Sequence, residues 1–185
     1  EWSNNICLVE GRGSFGTRLV QSAAAARYTY TRLHKNFSKY IMDIDLAPVH
    51  EDPEHEPPRF YVPVIPLVLS NGIKGIATGF ATNILPRDHE DLVRACVEYV
   101  KTGNIDKKVR VKFPDFTGTI TFDPEANRHV CLGTFERKSK TVLTITEVPY
   151  GFDRESYVGV LDKLEDAGHI VGYDDFCDKN GFCFE

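Results

Sequence analysis

Apolar positions repeat with helical spacing in one long segment, Asp88 to Lys101, where Leu92, Val93, Cys96, Val97 and Val100 share a face and Gly103 follows as terminator. A second helix is predicted from Asp153, a capping residue, through Asp166, with Gly168 closing it. Elsewhere the period is nearer two. Val109 to Phe113, Gly118 to Phe122, Val130 to Arg137 and Thr141 to Val148 read as strands, the last two joined by the turn Lys138-Ser139-Lys140, with a further strand at about His169 to Tyr173. Upstream, Ile6 to Glu10 reads as a short strand and Thr17 to Ala26 as an alanine-rich helix after a glycine turn, ending near Arg27. Tyr28 to Leu33 alternates but fits strand or irregular structure, and a further apolar stretch lies within Ser38 to Leu46. Tyr61 to Leu69 is an apolar run punctuated by prolines, which predicts buried irregular or edge structure. Together these elements predict an α+β (mixed α/β) chain with a mainly antiparallel sheet and packed helices.

Composition narrows the class. With 185 residues, 42% hydrophobic and 11% aromatic content, the chain can build the core of one ordinary domain or two small ones. Cys7, Cys96, Cys131, Cys177 and Cys183 form no CxxC and leave one over, which predicts reduced thiols packed as small hydrophobes in a cytosol-like compartment. No run approaches the ~18 apolar residues of a membrane span, and the N-terminus lacks a charged-then-apolar signal, so a soluble, cytoplasmic chain with no membrane partner is expected. A first residue other than Met and a strand-like end without a terminator predict a piece of a longer polypeptide. Composition shifts sharply at Ala47 to Pro58, a proline-punctuated acidic stretch, which divides the chain into residues 1–45, a linker at 46–60 and a second domain at 61–185. That stretch carries His50, Glu51, Asp52, Glu54 and His55, but its histidines lie five apart across Pro53, unlike a zinc-binding helix, so no metal site is predicted in this chain.

Charge is distributed unevenly. The chain has a net charge of −5, yet from Gly11 to Met42 its only formal charges are Arg12, Arg18, Arg27, Arg32, Lys35 and Lys39. A continuous cationic segment in an acidic protein points to a locally anionic ligand such as a phosphodiester backbone. Within it, Arg27-Tyr28 joins two useful groups. A phenol with a pKa near ~10 is an adequate nucleophile toward phosphorus and a good leaving group in reverse. A guanidinium beside it matches phosphate oxygens and offsets charge on the transferring group. The same tyrosines, Tyr28 and Tyr30, also suit strand residues alternating with Thr29 and Thr31 on a half-buried sheet.

Gly11-Arg12-Gly13-Ser14-Phe15-Gly16 satisfies a dinucleotide fingerprint and imitates a kinase phosphate loop, but neither reading survives its context. No strand lysine, His-Arg-Asp or Asp-Phe-Gly follows, and Lys35, Asn36 and Lys39 occupy the region where a ribose-binding acid belongs. That block, then Ser22 to Tyr28, then Asn71-Gly72-Ile73-Lys74-Gly75-Ile76-Ala77-Thr78-Gly79 through Pro86 closely resembles the breakage-reunion region of type IIA DNA topoisomerases. The pattern is similar to gyrase A subunits and nearest to the medium subunits of T-even-type phage enzymes. It continues through Phe113-Pro114-Asp115-Phe116 and Ile145 to Tyr150 as far as Asp178 to Phe182, so essentially the whole chain is covered in order.

The resemblance implies that residues 1–45 are the later part of a winged-helix domain bearing the active-site tyrosine, and residues 61–185 a tower domain. It implies Tyr28 as nucleophile, with Tyr30 as the alternative, and Arg27 as transition-state clamp. Arg12, Ser14, Arg18, Arg32, Lys35 and Lys74 would contact DNA, and Ile76 would wedge between base pairs and bend the duplex, although composition alone makes Ile76 a core residue. It further implies double-stranded DNA as substrate, a homodimer of the DNA-gate protein, and Mg2+ and ATP bound by toprim and ATPase regions outside this chain, on a large subunit or a fused segment. Ser14 stands where asparagine is usual, and Tyr30 follows Thr29 where glutamate is common. A non-catalytic DNA-binding scaffold is the alternative function.

Overall fold

Glycine and proline interrupt the apolar runs so often that the strands pair as separate antiparallel hairpins and no continuous sheet forms among the described residues. The computed structural model describes residues 2–185. They form two compact units, one of residues 3–13 and 29–112, the other of Trp2, 14–28 and 113–185.

In the first unit, β1 (Val9–Arg12) pairs with β2 (Tyr30–Leu33), with Arg12 opposite Tyr30 and Glu10 opposite Arg32. The expected strand at Ile6 to Glu10 is therefore shifted towards Gly11, because Ile6 is drawn into the core. Two short helices, α1 (Phe37–Tyr40) and α2 (Leu67–Asn71), flank residues 46–60, which are largely exposed and turn-rich. A hairpin follows, β3 (Ile73–Ala77) and β4 (Phe80–Ile84), closed by Thr78-Gly79. Gly79 has φ +77°, the third-position conformation that a type II turn reserves for glycine.

Helix α3 (His89–Thr102) forms where its apolar spacing predicts. The Asp88 carboxylate accepts from the Asp91 N–H at its start, and Gly103 ends it with φ +75°. Its Leu92 packs with Ile6 and Ile65 to make the unit's core. The predicted strand at Val109 to Phe113 reduces to a single bridge, Arg87 with Val111. The Arg110 and Lys112 side chains are drawn to Asp91 and Asp88, and the Lys112 carbonyl accepts from the Asn5 side chain.

In the second unit, β5 (Thr119–Asp123) pairs with β6 (Arg128–Leu132), and β7 (Thr134–Arg137) with β8 (Leu143–Glu147). The single strand predicted over Val130 to Arg137 is thus two, broken at Gly133, where a Cβ would meet the Glu147 carbonyl oxygen at 2.2 Å. Helix α4 (Arg154–Asp166) begins with the expected Asp153 cap, elaborated into a reciprocal box with Ser156. Its Leu161 joins Val148, Phe182 and Phe184 in the second core. His169 to Tyr173 forms bends in place of the expected strand, and the Tyr173 hydroxyl is spent on Asp162 at 2.5 Å. The fold class is mixed α/β, with short antiparallel pairs and helices.

Candidate functional site

The segment 14–28 belongs to the second unit and is not the predicted helix. Only a single 3-10 turn, Ala26–Tyr28, forms at its end. Alanine propensity contributes tenths of a kcal/mol per residue and cannot offset nucleation when no apolar face is buried, and Ser22 to Ala26 are all exposed. Tertiary contacts shape the loop in its place. Gly16 has φ +85°, and a Cβ there would meet the Gln21 carbonyl oxygen at 2.5 Å, so the third glycine of the GxGxxG pattern serves this tight bend. The Thr17 N–H donates to Val20 O, the Ala24 N–H to Ser14 O at 3.0 Å, and the Arg154 N–H to Leu19 O at 3.0 Å.

Arg18 is a correction to the sequence reading. The family resemblance puts it on phosphate, but its side chain is 7% exposed and bonded within the second unit. Its Nη2 donates to Glu147 Oε1 at 2.6 Å and to the Val148 carbonyl at 2.8 Å. The guanidinium carbon lies 4.9 to 5.3 Å from the ring centres of Tyr150, Phe182 and Phe116. A cation committed this way is withdrawn from a surface ligand. Glu147, Phe116, Tyr150 and Phe182 are site-building residues that sequence reasoning missed, since Glu147 stands 129 positions from Arg18.

Arg27 and Tyr28 are both exposed, Tyr28 at 62%. The Arg27 guanidinium carbon sits 4.8 Å from the centre of the Tyr28 ring, and the Tyr28 N–H donates to Ala25 O at 2.9 Å. A phenol open to solvent beside a permanent cation can attack phosphorus while the cation offsets charge on the phosphoryl oxygens. Half-burial on a sheet does not describe Tyr28, which lies in the turn before β2.

In the first unit, every residue of the β1–β2 ribbon is exposed, and Glu10, Gly11, Arg12, Tyr30, Thr31 and Arg32 line an open cleft of about 460 Å³. Arg32 grips Glu10 with both Nε and Nη2, at 2.9 and 3.0 Å. Those hydrogen bonds hold the Glu10 carboxyl below the usual carboxylate range and raise the Arg32 pKa. A phosphate approaching Arg32 must therefore compete with Glu10. Lys35, Ser14 and Lys74 are exposed, and Lys74 stands opposite Asn83 on the β3–β4 hairpin. Ile76, opposite Ala81, is 86% exposed, and Phe80 close to it is 82% exposed. The core position that composition suggests for Ile76 is therefore wrong. Its flanking and facing residues, Gly75, Ala77 and Ala81, are too small to cover it.

Comparison with known proteins agrees along the full length. The family described as the A subunit of DNA gyrase/topoisomerase IV matches residues 1–185. The DNA topoisomerase medium subunit of Enterobacteria phage T4 is 44% identical over 185 residues, covering all of this chain and 41% of that protein. The DNA gyrase A subunit of Rickettsia typhi is 32% identical, over 98% of this chain and 23% of its own length. The chain thus spans less than half the length of these relatives. Among solved structures, the DNA-binding, cleavage and re-ligation domain of Plasmodium falciparum topoisomerase II superposes with a TM-score of 0.88 at 28% identity, over 99% of this chain and 26% of that one. The chain belongs to the family of DNA gyrase and topoisomerase IV A subunits.

Proposed function

We propose that this chain is the DNA-gate portion of a type II topoisomerase, cutting duplex DNA transiently through a 5′-phosphotyrosyl bond on Tyr28. One observation carries the reading: Tyr28 is exposed with the Arg27 guanidinium 4.8 Å from its ring, in a chain of this family. The Tyr28 oxygen attacks a backbone phosphorus, an O–P bond forms and the P–O3′ bond breaks. The phenolic proton ends on the departing 3′ hydroxyl. Reversal restores the strand, because the phenoxide is a competent leaving group. Arg27 stabilises charge on the phosphoryl oxygens in both directions.

Arg12, Ser14, Lys35 and Lys74 contact the DNA backbone, Arg32 does so by exchanging Glu10 for phosphate, and Ile76 bends the duplex. Residues 1–45 act as the later part of a winged-helix domain and 61–185 as a tower. Two copies of the gate protein make the staggered cuts, and strand passage uses ATP held by a region outside this chain. Mg2+, held by toprim carboxylates also outside it, supplies charge neutralisation at the scissile phosphate. The described residues contain no group of three or more His, Cys, Asp or Glu suited to hold that metal. The enzyme works in the cytoplasm, which is the host cell's if the source is a phage.

The test is Tyr28→Phe in the assembled parent enzyme. Covalent cleavage is lost and DNA affinity stays within about twofold, since one exposed oxygen is removed. Covalent complex formed by the Phe variant but not by Tyr30→Phe transfers the role to Tyr30. Covalent complex in neither the parent nor any variant leaves the non-catalytic scaffold.

A further inference from the structure

Arg18 is the one buried residue of the segment 14–28, and it lies ten positions before Tyr28 in the same unit. Its counter-charge is fully engaged. Glu147 Oε1 accepts from Arg18 and from the Val148 N–H at 3.0 Å, and Oε2 accepts from the N–H and hydroxyl of Thr117, each at 3.0 Å. Arg18 Nε and Nη1 have no hydrogen-bond partner among the described residues, and the guanidinium carbon lies 4.9 to 5.3 Å from the ring centres of Phe116, Tyr150 and Phe182. A flat cation held among aromatic faces and bonded to a fixed carboxylate has one orientation, unlike an apolar side chain that can slide. Other ties of this loop include backbone hydrogen bonds from Thr17 to Val20, from Ala24 to Ser14, from Tyr28 to Ala25 and from Arg154 to Leu19, together with Leu19 packed on the second core.

We propose that Arg18 is a positioning residue for the cleavage reaction: pinned to Glu147, it fixes the register of the exposed loop that presents Arg27 and Tyr28. The inference rests on Tyr28 as nucleophile. It withdraws Arg18 from phosphate binding and gives its charge a different task. Misplacing a nucleophile by an ångström costs rate without costing affinity, because binding is carried by other side chains.

The experiment uses two variants of the full parent chain, each assembled with the toprim-bearing and ATPase-bearing partner. Arg18→Lys keeps the charge but not the planar fork, whereas Arg18→Met with Glu147→Gln removes both charges, so no buried ion is stranded. Hydrogen exchange is followed in peptides covering 20–28, and covalent cleavage is measured at saturating DNA below the melting temperature of each variant. The expected result is faster exchange confined to 20–28 and cleavage lowered on the order of tenfold or more in the double variant, with partial rescue in Arg18→Lys. DNA affinity and its salt dependence stay at parental values. Unchanged exchange at 20–28, or cleavage at saturation equal to the parent, overturns the proposal. So does a weaker affinity with a shallower salt slope, which would make Arg18 a phosphate ligand. Tyr28→Phe run alongside separates the two readings, because its retention of cleavage removes the nucleophile assignment while the exchange result still reports on the pin.

Discussion

Ile76→Ala separates a DNA contact from a packing residue, and the structure sets both magnitudes. Burying an isoleucine fully is worth about 1.5 to 3 kcal/mol. Ile76 keeps 86% of its surface exposed, so the fold gains only about a seventh of that, roughly 0.3 kcal/mol, from its side chain. At about 2 to 4 °C per kcal/mol for a chain of this size, truncation should lower the melting temperature by about 1 °C. Between base pairs the same side chain would be fully desolvated, and the carbons removed are then worth about 2 kcal/mol, or about 30-fold in the ratio of bent to straight duplex. Energy transfer between dyes at the two ends of a gate duplex reads that ratio, with melting followed on the same preparation. Normal bending in Ile76→Ala, together with a melting temperature several degrees lower, would refute the reasoning and place the side chain in the core.

Arg27→Ala lowers cleavage and religation together by on the order of 10²-fold, and Arg27→Lys restores only part, because a point charge lacks the guanidinium fork; single-turnover rates in both directions check this. Neutralising Arg12, Lys35 or Lys74 weakens binding similarly across DNA sequences and makes the salt slope shallower by about one unit, read by titration at several salt concentrations. Glu10→Gln frees Arg32 and strengthens binding at low salt, measured the same way. Asp91 in α3, hydrogen-bonded foremost by Arg110, has its pKa lowered from 3.8 to about 2. Its folded-state pKa is depressed, so its stabilising contribution is complete above about 4 and is lost as pH falls from there through about 2. Asp91→Asn should flatten the melting temperature over that window.

Local signals carry the helices. Asp88 with Gly103 and Asp153 with its downstream apolar spacing define α3 and α4, because capping and periodicity act within one element. Arg27-Tyr28 is legible because both parts of the proposed reaction adjoin in the chain. Long-range choices are not. Thr17 to Ala26 reads as a helix by alanine content, yet Arg18 is drawn to Glu147 and its ring cage, which no local pattern encodes. Val109 to Phe113 alternates like a strand, but the Arg110 and Lys112 side chains bind Asp91 and Asp88, and the segment makes one isolated bridge among the described residues. The β3–β4 hairpin is hidden in the pattern because its apolar residues, Ile73, Ile76 and Phe80, are exposed and produce no core-facing alternation.

The central claim is that Tyr28 carries the cut strand. Trapping the assembled parent enzyme on a duplex, digesting both protein and DNA, and sequencing the nucleotide-bearing peptide by mass spectrometry locates the covalent bond directly. The account predicts a 5′-phosphoryl nucleotide on the oxygen of Tyr28, in the peptide that follows Arg27. A nucleotide on Tyr30 or on any other residue, or a trapped complex with no modified peptide from this chain, would contradict it.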